Sequence, residues 1–130
     1  MDPSSITILC VDDEETPRIL RKLILQKQGY QVVTAASGAE ALEVLDRTNI
    51  SLVLSDQMMP GMTGTDLTKS VKAMRPTMPV ILISGVNEIP ADASYADRFI
   101  SKVGGPELLF QTVIEVLTEY GRMDSVGRRV

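Results

Sequence analysis

Five short strand-like segments, three of them nearly uninterrupted apolar runs, limit what this 130-residue chain can fold into. They are Ile6 to Val11, Tyr30 to Ala35, Ile50 to Asp56, Val80 to Ser84 and Arg98 to Ser101. A strand with one wet face alternates apolar and polar side chains, so a run without alternation reads as a strand buried on both faces. The segments between the runs change to helical spacing. Strands that alternate with crossover helices make a parallel sheet covered on both sides, and the pattern predicts a doubly wound five-stranded α/β domain.

The helices can be placed from their punctuation. Thr16-Pro17 offers an N-cap and a first-turn proline, with a start a residue or two earlier also compatible; Ile19, Leu20, Leu23 and Ile24 give an apolar face, and Gly29 ends the helix. Ser37-Gly-Ala-Glu40 has the capping-box pattern, ahead of Ala41, Leu42, Val44 and Leu45. After the loop Met58 to Gly64, Leu67, Val71 and Met74 mark a third helix running to Arg75. The segment from Gly85 to Asp97 holds Pro90 and has poor periodicity, so the fourth helix is expected to be shortened to one or two turns. Leu109, Val113, Val116 and Leu117 define the last helix, closed by Gly121. Residues 5–121 are expected to form one domain, and 122–130, with Arg128-Arg129, a polar tail or the start of a linker.

Composition excludes several kinds of function. A net charge of −4 argues against direct nucleic-acid binding. No apolar run approaches the length that crosses a bilayer and no cationic apolar leader opens the chain, so a cytoplasmic location is expected. Cys10, inside the first apolar run, reads as a small core residue. Histidine is absent, which removes Ser-His and Cys-His nucleophilic pairs and imidazole metal sites, so any metal must be held by oxygen.

In a parallel sheet the carboxyl ends of the strands line one rim, where ligands bind. That rim collects Asp12 and Asp13 from the first strand, Asp56 from the third, Ser84 from the fourth and Lys102 after the fifth. Three neighbouring carboxylates repel unless a cation joins them, and Mg²⁺ suits an all-oxygen site with a backbone carbonyl after Asp56 as a further ligand. An ionised carboxylate can attack phosphorus without a general base, and Lys102 with Mg²⁺ could neutralise the phosphoryl oxygens. The implied chemistry is self-phosphorylation from a reactive donor, not enzymatic turnover of a free substrate.

The acidic pair Asp12-Asp13, the loop Asp56-Gln-Met-Met-Pro-Gly-Met-Thr-Gly, Ser84-Gly85 and Lys102, in this order, resemble the receiver domain of bacterial two-component response regulators, the CheY-like family. The resemblance covers about residues 5 to 120. It implies a sheet in the order 2-1-3-4-5. It implies Asp56 as the phosphoacceptor, served by a histidine kinase or phosphotransfer protein. Mg²⁺ would be held by Asp13 and Asp56, by the Gln57 backbone carbonyl, and by Asp12 partly through water. Ser84 would be the switch hydroxyl and Phe99 the switch aromatic, relaying the change to an effector protein or domain.

Three departures from the family pattern carry expectations. Lys102 precedes Val103-Gly-Gly-Pro106 where the family has Lys-Pro with a cis bond, so the Gly pair must take another path or the site must sustain a non-proline cis bond. The shortened fourth helix argues against the common dimer surface, and a monomer or weak dimer is expected. Met58 and Val86, two residues after Asp56 and Ser84, are apolar and cannot orient an attacking water, which predicts slow self-dephosphorylation. Other readings fit less well. A haloacid-dehalogenase-type phosphatase wants its two aspartates two residues apart on the first strand, a flavodoxin-like phosphate loop would not hold four acidic residues, and an unphosphorylated scaffold would not need the full set of site residues.

Overall fold

The computed structural model describes residues 5–85 and 95–122. Along the chain it has β1 (Thr7–Val11), α1 (Glu15–Lys27), β2 (Gln31–Ala35), α2 (Gly38–Arg47), β3 (Leu52–Asp56), α3 (Gly64–Met74), β4 (Val80–Ser84), β5 (Arg98–Ser101) and α4 (Gly105–Glu119). The strands form one parallel sheet in the order β2-β1-β3-β4-β5, as expected.

Every residue of β3 and β4 is buried, because successive side chains enter two different cores. Ile8, Cys10, Leu52, Leu54, Ile81 and Ile83 pack with Leu25 and with Leu109, Val113 and Val116 of α4. Leu9, Val11, Val53, Val80 and Leu82 pack on the other side with Ala41, Val44, Leu67 and Val71. The missing alternation in the sequence is this two-sided burial. Cys10 lies in the first core, where burial pushes its thiol up to about 12.

Two helix starts add detail to the sequence reading, the first of them at the earlier of the positions it allowed. α1 begins at Glu15, so Pro17 is its third residue and Thr16 is not the cap; Glu14 holds that position, and its N–H is taken by Asp12 Oδ1 at 2.9 Å. At α2, Ser37 accepts from the Glu40 N–H at 3.1 Å, but the Glu40 carboxylate reaches back to the Ala36 N–H, also at 3.1 Å. α3 has a full capping box between Thr63 and Asp66.

The apolar face expected of α1 is only partly inward. Leu25 is buried and Ile24 packs on the core, while Ile19, Leu20 and Leu23 are 44%, 58% and 56% exposed. The helix is turned so that Arg18 and Arg21 face the end of β1. The expected short helix around Pro90, the position of Val86 and the tail from residue 123 lie outside the described residues.

Candidate functional site

The strand order reverses between β1 and β3, and the acidic residues meet there. Asp12 follows β1 and is 3% exposed; Asp56 ends β3 and is 2% exposed; Asp13 is exposed. Each offers a carboxylate oxygen, and these oxygens lie within 4.8 Å of one another. Asp12 is held on both sides: Oδ1 accepts from the Glu14 N–H, and Oδ2 pairs with Arg21 at 2.7 Å. Its carbonyl also accepts from Arg18 at 2.9 Å.

Lys102 Nζ stands 3.2 Å from Asp56 Oδ1. No aligned hydrogen bond reaches that buried oxygen, so the contact is an ion pair. Burial above all, and then the neighbouring Asp12 charge, push the Asp56 carboxyl above its usual range, while Lys102 and Arg21 oppose the shift. A buried oxygen with spare acceptor capacity among three carboxylates fits a hard divalent cation.

The Val103-Gly-Gly-Pro106 departure resolves without a cis bond, since none occurs among the described residues. The Lys102 N–H donates to the Ser84 carbonyl at 3.1 Å, the Gly104 N–H to the Ser101 carbonyl at 3.1 Å, and Gly105 enters α4 with a φ of +78°. That left-handed conformation disfavours side chains and explains a glycine there. The turn thus brings Lys102 to Asp56 by a trans path. Ser84, 3% exposed, ends β4 in register with Ser101, and Phe99 lies opposite Leu82, packed against the α2/α3-side core.

Gln57 is fixed by three bonds. Its N–H donates to the Ile83 carbonyl at 2.9 Å, its carbonyl accepts from the Gly64 N–H at 2.8 Å, and its side-chain oxygen accepts from Thr65 at 3.0 Å. Gly64 sits so close that a Cβ there would be 2.6 Å from the Asp56 carbonyl oxygen. The carbonyl expected to face a metal is therefore bonded into the start of α3. The Met58 carbonyl has no hydrogen bond among the described residues.

Sequence reasoning missed Arg21 and Arg18. Their three-residue spacing places both on one face of α1, which was the available signal. Beside the rim, Pro17, Leu20, Ile24, Ile100 and Leu109 line a groove of about 450 Å³ whose polar wall includes Arg21 and Lys102.

Residues 8–114 match the response regulator receiver domain family. The chain belongs to that family. This receiver domain is 38% identical over 117 residues to the transcriptional regulatory protein GlrR of Escherichia coli, covering 86% of the chain and 26% of GlrR. It is 36% identical over 121 residues to the sensor kinase CckA of Brucella abortus, covering 87% of the chain and 13% of CckA. The chain thus spans a small part of these relatives. The solved response regulator TrrA of Thermotoga maritima, in complex with Mg²⁺ and BeF, superposes with a TM-score of 0.81 at 32% identity, over 86% of this chain and 99% of that one. Receiver domains are phosphoacceptor switches of two-component signalling, and Mg²⁺ is typical of them. No described helix is long and apolar enough to cross a membrane.

Proposed function

We propose that this receiver domain is switched by phosphorylation of Asp56, with residues 5–121 as the working module. The observation that carries the reading is the buried Asp56 Oδ1, short of hydrogen bonds, with Lys102 at 3.2 Å and two further carboxylates at hand. In the transfer, an Asp56 oxygen forms the new P–O bond as the donor's P–N bond to histidine breaks, and the imidazole keeps the electron pair. Lys102 meets the charge on the phosphoryl oxygens. Asp13 and Asp56 would hold Mg²⁺, with Asp12 acting through water, and a bound ion would supply positive charge against the phosphoryl oxygens. Because the Gln57 carbonyl is bonded to Gly64, the Met58 carbonyl is the better candidate for the backbone ligand.

The phosphoryl group brings roughly −1.5 to −2 charges and three acceptor oxygens in place of the single charge of the Asp56 carboxylate. Ser84 turns to bond them, and Phe99 repacks against the space that Ser84 leaves, which carries the change to an effector surface. A histidine kinase or phosphotransfer protein that reaches Asp56 has to cover this end of the sheet, where Pro17, Leu20 and Pro106 wall the groove beside Lys102.

Incubation with acetyl phosphate and Mg²⁺, followed by intact-mass measurement, tests the reading. The expected result is the gain of one phosphoryl group, absent in Asp56→Asn and without Mg²⁺. No gain with any small donor would favour an unphosphorylated scaffold.

A further inference from the structure

Arg21 is a rim residue that the phosphoryl chemistry above leaves without a task. Its guanidinium pairs with Asp12 Oδ2 at 2.7 Å, and the two side chains are only 16% and 4% exposed. The Glu14 N–H fills Oδ1, so both oxygens of Asp12 are engaged within the protein. They are engaged inside the cluster of three carboxylates that would receive a divalent cation.

The helix is oriented to make this pair. An amphipathic helix normally turns its large apolar residues inward. α1 instead turns Arg18 and Arg21 to Asp12 and leaves Ile19, Leu20 and Leu23 exposed. A guanidinium held this close has two effects on a metal site. It takes up negative charge that the ion would otherwise meet, and it adds a positive charge beside the ion's position.

Resting on the Mg²⁺ reading above, we infer that Arg21 is a resident counter-cation of the acidic site, which holds Asp12 away from direct ligation and weakens Mg²⁺ binding. Divalent affinity is then set by competition between Arg21 and the ion for the same carboxylate cluster.

Calorimetric titration with MgCl₂ alone tests this on wild type, Arg21→Gln, Arg21→Met and Arg21→Lys, with melting in EDTA and in saturating Mg²⁺ as a second readout. Arg21→Gln can still donate to Asp12, so it keeps the test readable where Arg21→Met fails to fold. Both neutral variants should bind Mg²⁺ more tightly, by roughly tenfold given one unit charge removed beside a +2 ion. Arg21→Lys should stay near wild type. The neutral variants should melt lower than wild type in EDTA and gain more from Mg²⁺. Unchanged or weaker Mg²⁺ binding in Arg21→Gln, with wild type binding normally, overturns the inference and leaves the metal reading intact. Binding by no variant overturns both, whereas binding by the neutral variants but not by wild type supports the inference.

Discussion

At the residue scale, the burial of the Asp56 carboxyl works against the stability of the metal-free fold. Its carboxyl pKa is raised, chiefly by burial and then by Asp12. The folded chain therefore binds that proton more tightly than the unfolded chain, and stability from this group rises as pH falls through the raised value. Above it, the ionised form weakens the fold. Asp56→Asn should accordingly be more stable than wild type in EDTA at neutral pH, with the difference closing on acidification and shrinking in Mg²⁺; urea midpoints across pH would show it. A constant difference at all pH values would mean that charge is not the cause. Met58, 52% exposed and two residues on, has no group to position a water. Met58→Asn should lose phosphoryl several-fold faster in a chase of the phosphorylated protein, and an unchanged rate would show that the apolar side chain does not limit phosphoryl loss.

At the element scale, the site depends on how each strand hands over to its helix. The β3–α3 turn is tight enough that Gly64 has no room for a Cβ: backbone atoms of Asp56 and Gln57 lie 2.6 and 2.9 Å from where one would be. Those neighbours are main chain and cannot swing aside. Gly64→Ala should therefore cost about 1–3 kcal/mol in urea unfolding, as overpacking does. It should also slow phosphoryl uptake by shifting Asp56 against Lys102. A variant that folds and labels like wild type would show that the turn can relax. α1 shows the opposite situation, since a rotation of the helix sacrifices inward apolar surface to bring two arginines to Asp12. Its apolar spacing was legible, but which way that face turned was not, because the end of β1 made a competing claim on the same helix.

At the scale of the whole molecule, the end of the sheet opposite the rim is tied by one polar cluster. Asp97, just before β5, accepts from Lys72 of α3 at 2.9 Å, from the Val80 N–H at 2.8 Å and from the Tyr120 hydroxyl beyond α4; Lys72 also reaches the Met78 carbonyl at 2.7 Å and Tyr120 at 3.0 Å. Desolvation lowers the Lys72 pKa, but hydrogen bonds to Tyr120 and Asp97 outweigh it and raise it, while burial followed by the bond to Asp97 raises Tyr120. For both groups the folded chain holds the proton more tightly. Their stabilisation is complete below the ordinary Tyr and Lys values, about 10, and is lost as pH rises through the raised ones. Alkaline unfolding monitored by circular dichroism should therefore set in above that range. Tyr120→Phe should lower stability by about 0.5–1.5 kcal/mol at neutral pH while leaving phosphoryl uptake unchanged. Loss of uptake in that variant would show that the two ends of the sheet are coupled.

The sequence by itself determined the five strands, the parallel sheet and the gathering of Asp12, Asp13, Asp56, Ser84 and Lys102 at one rim, because unbroken apolar runs and strand-end residues are local signals that a doubly wound sheet converts directly into position. Only the tertiary structure decided that Lys102 reaches Asp56 through a trans Gly-Gly turn, that the Gln57 carbonyl belongs to Gly64, and that Arg21 takes Asp12. Each of these is a choice among partners of similar chemistry. Such a choice is fixed by which groups the packed helices bring within bonding distance.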